Sequence, residues 1–261
     1  MSEQPRVVAL AAHSKSVRFI ERWFSVGVAL MLLLLNVAAF TPSLVDPSRR
    51  NTPLPLTPLV SLHAAVSVAW LLLFVAQTTL AATSHVATHR RVGLAGAALS
   101  LAVVVLGVLV VLAQARRGAD LSGDISRLPL PTGVDGLSAT TALLFFPLPF
   151  GVLVGGALCY RHRPRTHKRL MLFAALAGLT PTPVAHLIGH WVGPQPWADV
   201  LFPLSALFFV SLIAVYERVT AGRVHPVTLW LGILVVAMER VLTLGVQRAE
   251  AWRSFSQWLV Q

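Results

Sequence analysis

Seven stretches of the chain stay apolar over about the 20 residues that a helix needs to cross the hydrocarbon of a bilayer. They fall at about 23–40, 58–82, 92–113, 139–160, 168–188, 197–219 and 228–247. Only helices can fill them, because a lone strand would leave backbone groups unpaired in lipid. The connecting segments are short and polar, and none exceeds about 25 residues, so there is no room for an extramembrane domain. The pattern predicts an all-α polytopic bundle, a single integral membrane domain over 1–261. Residues 1–22 are then an N-terminal segment, and 249–261 a tail in which Trp252, Phe255, Trp258 and Leu259 mark one face of a short interfacial helix.

Composition narrows the class. Hydrophobic residues make up 56% of the chain and charged residues only 12%, about half the roughly 25% usual in soluble domains. With one cysteine, Cys159, the disulfide-scaffold class is excluded. Val37-Ala38-Ala39 has the small-residue look of a signal-peptidase site. Yet the apolar run from Val26 to Phe40 is long for a signal h-region, and the 22 residues before it are long for an n-region. The first span is therefore expected to stay; cleavage would leave six.

Charge sets the expected orientation. With seven spans, the side holding the N-terminus and the second, fourth and sixth loops carries 13 of the 21 Lys and Arg and three of the ten acidic residues. The positive-inside rule then puts the N-terminus in the cytoplasm. A net charge of +11 would suggest nucleic acid in a soluble protein. Here the charge sits in tight turns, where the bilayer and its anionic headgroups are the ordinary partner and no nucleic acid is expected.

Three of those turns look alike. His85-x-x-x-His89-Arg90-Arg91, His162-x-x-x-x-His167-Lys168-Arg169 and Arg223-Val224-His225-Pro226 each place basic residues and a histidine just before an apolar run. The implied plan is one N-terminal span followed by three helical hairpins. Positive-inside charge accounts for such turns. So does an anion or lipid-headgroup site, in which Arg90, Arg91, Lys168, Arg169, Arg223 and His225 stand at the positive ends of helices.

Nine histidines lie on two levels. His63, His186 and His190 fall near the outer ends of spans, the last two at helical spacing, while His89 and His167 fall at the inner face. Haem iron takes axial histidines from facing helices, and neutral imidazoles also suit zinc, copper or iron. Histidines at span ends can equally reach water and need no ligand. Within span two, His63, Trp70 and Gln77 are seven apart, with Ser67 and Phe74 between them, forming one stripe that should face the interior. That stripe reads as helix-packing glue or as one wall of a small-molecule pocket. Glu239 and Arg240 fall well inside span seven, as intramembrane charges or as a helix end with Arg240 reaching outward. The chain has no nucleophile elbow, no phosphate-binding Gly-Lys loop, no dinucleotide fingerprint and no Cys-x-x-Cys, which argues against soluble-type catalysis and nucleotide-driven pumping.

In His63…Trp70…Gln77, His89-Arg90-Arg91-x-Gly93, Arg163-Pro164-x-x-His167-Lys168-Arg169-Leu170 and Arg223-x-His225-Pro226…Trp230, the sequence resembles an uncharacterised family of bacterial seven-span inner-membrane proteins. The likeness implies a seven-helix protein of the bacterial inner (cytoplasmic) membrane and carries no activity. A fainter likeness, in the paired histidines alone, is to cytochrome b561-like proteins and to membrane factors for haem-copper oxidase assembly. It implies haem b as a candidate cofactor, although the histidines here stand at turns and not within spans. Three expectations remain open. One is a haem-binding redox or haem-handling protein, with His63 and His186 or His190 as outer ligands, His89 and His167 as inner ligands, and Trp70 and Gln77 shaping the pocket. The others are a transporter or receptor for a small anion or lipid, and a non-catalytic partner of a membrane complex or homo-oligomer.

Overall fold

The computed structural model describes residues 4–46, 56–117, 133–188 and 198–261. These are predominantly helical, with no strand among the described residues. In chain order the helices are α1 (Gln4–Val45), α2 (Pro58–Ala82), α3 (Val86–Arg117), α4 (Gly136–Ala142), α5 (Pro147–Cys159), α6 (Pro164–Leu179), α7 (Pro181–Leu187), α8 (Ala198–Ala221), α9 (Pro226–Leu244) and α10 (Glu250–Val260). Proline opens α2, α5, α6, α7 and α9, because its fixed φ suits the first helical turn and its missing N–H would have no partner there.

Among the described residues, five helical segments are long and apolar enough to cross a membrane: Lys15–Val45, Pro58–Ala82, Val86–Arg117, Gly136–Cys159 and Pro203–Ala221. The pair α6 and α7, bent by 42°, passes the same test only when taken together, as a broken span or a re-entrant loop. Over its described residues the expected seventh span is a shorter apolar helix, Pro226–Met238, and α9 ends at Leu244, short of 247. The helix α1 begins at Gln4, within the N-terminal segment, and runs unbroken into the first apolar stretch.

The breaks follow from proline chemistry. Phe146 donates its N–H to the Leu143 carbonyl at 3.1 Å, closing a 3-10 turn before Pro147, which has none to give. At the bend between α6 and α7, the helical donor for the Leu179 carbonyl would be residue 183, again a proline. Asn36 of α1 supplies the missing bond, its Nδ2 donating to the Leu179 carbonyl at 3.1 Å.

The core lies on α6, where every residue from Leu172 to Ala177 is buried, against Leu32 of α1, Phe150 of α5 and Ile213 of α8. Glycines let helices approach. A Cβ on Gly178 would lie 2.6 Å from Phe150, and one on Gly232 would lie 2.5 Å from Val210, the small-residue packing that membrane helices favour. Many large apolar side chains face outward, among them Leu94, Leu101, Val152, Phe208 and Trp230, as on a surface solvated by lipid tails. The three expected hairpins are present as α2–α3, α5–α6 and α8–α9.

Candidate functional site

At the shared end of the hairpins α2–α3 and α5–α6, two histidines come together. His89, in the first turn of α3, donates from Nδ1 to the Gln77 carbonyl of α2 at 3.2 Å. His167, in the first turn of α6, donates from Nδ1 to the Ala157 carbonyl of α5 at 2.8 Å. Each ring thus pins the start of a returning helix to the end of the preceding one. Ala157 lies in the last turn of α5, where carbonyls run out of helical donors. A carbonyl can only accept, so Nδ1 carries the proton in both rings and Nε2 keeps its lone pair while the ring is neutral. The ring centres are 6.4 Å apart, at 89° to one another.

The other basic residues divide sharply. Arg169 donates from Nε to Glu217 Oε1 at 2.6 Å, with side-chain exposures of 14% and 5%. Glu217 also accepts from the His225 backbone N–H at 2.8 Å and the Thr228 hydroxyl at 2.9 Å. One buried carboxylate of α8 therefore holds the starts of α6 and α9. Lys168 donates to the Tyr216 hydroxyl at 2.8 Å and lies over that ring, which stacks on Phe24 of α1. His225 caps α9, its Nδ1 accepting from the Val227 N–H. Arg90, Arg91 and Arg223 are exposed. Of the six residues expected to meet an anion, these three face outward, while Lys168 and Arg169 are engaged inside the bundle.

Trp70, expected in packing or in a pocket wall, donates from Nε1 to the Ser100 hydroxyl at 2.6 Å, tying α2 to α3. It packs on Phe74 and Phe150, with ring centres 5.0 and 5.1 Å away. Gln77 has both side-chain polar atoms buried without a hydrogen-bond partner, as do His63 at Nδ1 and Ser67 at Oγ.

The outer histidines are not assembled in the same way. His63 lies near Gly107 of α3, where Pro147 of α5 also approaches. His186, buried in α7, meets Phe40 of α1 with ring centres 4.5 Å apart. The two face different neighbours, and His190 lies outside the described residues. Glu239 and Arg240 fall on α9, and their side chains are likewise outside the described residues. No group of three or more His, Cys, Asp or Glu able to hold a metal occurs among the described residues.

The tail is helical as α10 and docks on protein. Ser256 and Thr141 share a buried hydroxyl contact of 2.6 Å, Trp252 Nε1 donates to the Ser138 carbonyl at 3.0 Å, and Arg253 pairs with Asp135 at 3.2 Å. Desolvation pushes the Asp135 carboxyl up. Bonds from the Ser138 N–H and hydroxyl, together with Arg253, outweigh that and hold it below its ordinary value. Phe255 and Trp258 stay exposed, as suits a membrane interface.

Sequence reasoning missed Glu217, Asn36 and Ser100. Glu217 had a signal, being the one acidic residue of the basic side that falls inside an expected span, 197–219; its three partners come from elsewhere in the chain. Compared with known proteins, the chain matches no protein family, no curated protein and no solved structure.

Proposed function

We propose that the chain is a seven-span protein of a bacterial inner membrane, N-terminus cytoplasmic, whose inner-face histidines His89 and His167 hold a haem b. The charge asymmetry supports the orientation, with α9 as the shortest span. The observation that carries the site is the matched pair of rings, each locked through Nδ1 on a backbone carbonyl. Ligating histidines are commonly fixed this way, so that Nε2 is bare and its direction set. Two imidazoles joined to one ion by bonds of about 2.0–2.1 Å would hold their ring centres roughly 6 Å apart, and the pair stands at 6.4 Å.

Haem, when bound, would supply one-electron redox chemistry. This chain's own part would be to present two neutral nitrogens and keep their tautomers fixed. The outer histidines do not meet the same test, because His63 and His186 lie against different helices, so a single haem per chain is expected. Exposed Arg90, Arg91 and Arg223 would engage anionic headgroups at the same face.

The test is an optical spectrum of the detergent-purified protein, oxidised and then dithionite-reduced, with metal analysis on the same sample. A Soret band that shifts on reduction, and is lost in His89→Ala and in His167→Ala but kept in His186→Ala, is expected. A flat spectrum from protein made with ample haem would overturn the assignment.

A further inference from the structure

The α2 stripe carries an inference that goes beyond the haem reading and does not rest on it. His63, Ser67, Trp70, Phe74 and Gln77 follow one another at steps of four and three residues, so they share one face of α2. Four polar atoms on this face are buried without partners: His63 Nδ1, Ser67 Oγ, and Gln77 Oε1 and Nε2. They form two groups. Between them, Trp70 is bonded to Ser100 and packed on Phe74 and Phe150, all three aromatic residues being buried. His63 and Gln77 are 14 residues apart, about 21 Å along the helix, so the groups lie toward opposite membrane faces.

The opposing helix is small at both levels. A Cβ on Gly93 would lie 3.8 Å from Gln77 Nε2, and one on Gly107 would lie 3.5 Å from His63 Cε1. Beside His63 comes the proline break of the fourth span, where the helical donor for the Phe145 carbonyl would be Pro149, which has no N–H. Unpaired polar atoms inside a bilayer are costly, and polar residues within spans commonly mark solute or proton paths. Water both donates and accepts, which answers an imidazole, a hydroxyl and a carboxamide alike. The stripe itself carries no carboxylate and no Lys or Arg, so it offers no counter-charge to a small ion.

We propose that the α2–α3 face forms two water-filled half-cavities, one around His63 and Ser67 and one around Gln77, each fed from its own side of the membrane. The Trp70–Phe74–Phe150 cluster is the plug that keeps them apart. The plan is that of a conduit for water-sized, hydrogen-bonding solutes, held shut at its middle.

Cysteine accessibility tests it, in a Cys159→Ser chain labelled in sealed vesicles with a membrane-impermeant methanethiosulfonate from either side. Ser67→Cys is expected to react only from the face where α2 begins, and Gln77→Cys only from the other. Leu71→Cys in the dry core and Val68→Cys on the outward surface should stay unreactive. Labelling of only one of the two, of both from the same face, or of neither above the Leu71→Cys rate overturns the proposal. A cysteine-free readout covers a variant that misfolds. In a dry interface, Gln77→Leu and Ser67→Ala remove uncompensated polar atoms and raise Tm by several degrees. In water-filled half-cavities they produce no rise, so a rise also overturns the proposal.

Discussion

Replacing Glu217 with alanine should be among the most damaging single changes at the inner face. The carboxylate is 5% exposed and pairs with an arginine side chain 14% exposed, so its removal leaves a largely desolvated guanidinium unpaired. It also strips the acceptor from the His225 N–H and the Thr228 hydroxyl, which together start α9. Breaking a buried pair by removing one partner costs about 3–5 kcal/mol. Arg169 keeps a bond from Nη1 to the Arg165 carbonyl near the helix start, which favours the lower end, about 3 kcal/mol. For a chain of this size that lowers Tm by on the order of 6–12 °C, read by thermal unfolding of the detergent-purified protein. Because an apolar pair carries no desolvation penalty, Arg169→Met with Glu217→Leu should lose less than Glu217→Ala alone. A Glu217→Ala Tm equal to the parent, or a double-mutant cycle with coupling under about 0.5 kcal/mol, would refute the reasoning.

Other changes probe the helix contacts and the tail. Gly178→Ala places a methyl 2.6 Å from buried Phe150 and should cost about 1–3 kcal/mol through overpacking. Gly155→Ala meets nothing within 4 Å and should leave the same unfolding curve unmoved. Asn36→Leu leaves the Leu179 carbonyl without its donor and should cost about 1–3 kcal/mol; an unchanged Tm would show that the break needs no cap. The Asp135 carboxyl is held below its ordinary value in the folded chain. Its contribution to tail docking is therefore complete above that ordinary value and lost as pH falls through the depressed one. Trp252 emission, isolated against a Trp252→Phe chain, should report the loosening, and Asp135→Asn should abolish its pH dependence.

Much of the architecture was legible before any coordinates. Apolar runs located the helices because lipid demands both length and hydrophobicity from each span. Prolines act by context: Pro147 and Pro181 open new helices at breaks, whereas Pro42 and Pro203 stand inside α1 and α8 without ending them. The repeated basic turns predicted three hairpins, and His89 and His167 emerged as a pair because each stands just before a returning helix. Charges were harder to read. Lys168 and Arg169 look like Arg90 and Arg91 along the chain, yet Tyr216 and Glu217 occupy the first two while the others face outward. That division depends on α8 passing beside α6, a contact across almost 50 residues that no local pattern encodes.

The sequence by itself determined that this is an all-helical, membrane-type chain, roughly where its apolar helices lie, and which residue types are costly inside it. Those properties are local, fixed by hydropathy, helical period and the chemistry of proline. Tertiary structure alone decided which costly groups find partners. It gave Glu217 three donors, gave Asn36 an orphan carbonyl and gave Trp70 a serine. It brought two histidine rings to within 6.4 Å and left His63, Ser67 and Gln77 with polar atoms unanswered. Partnership is a matter of distance between helices, and that distance is set by glycines such as Gly178 and Gly232 and by the packing of the whole bundle.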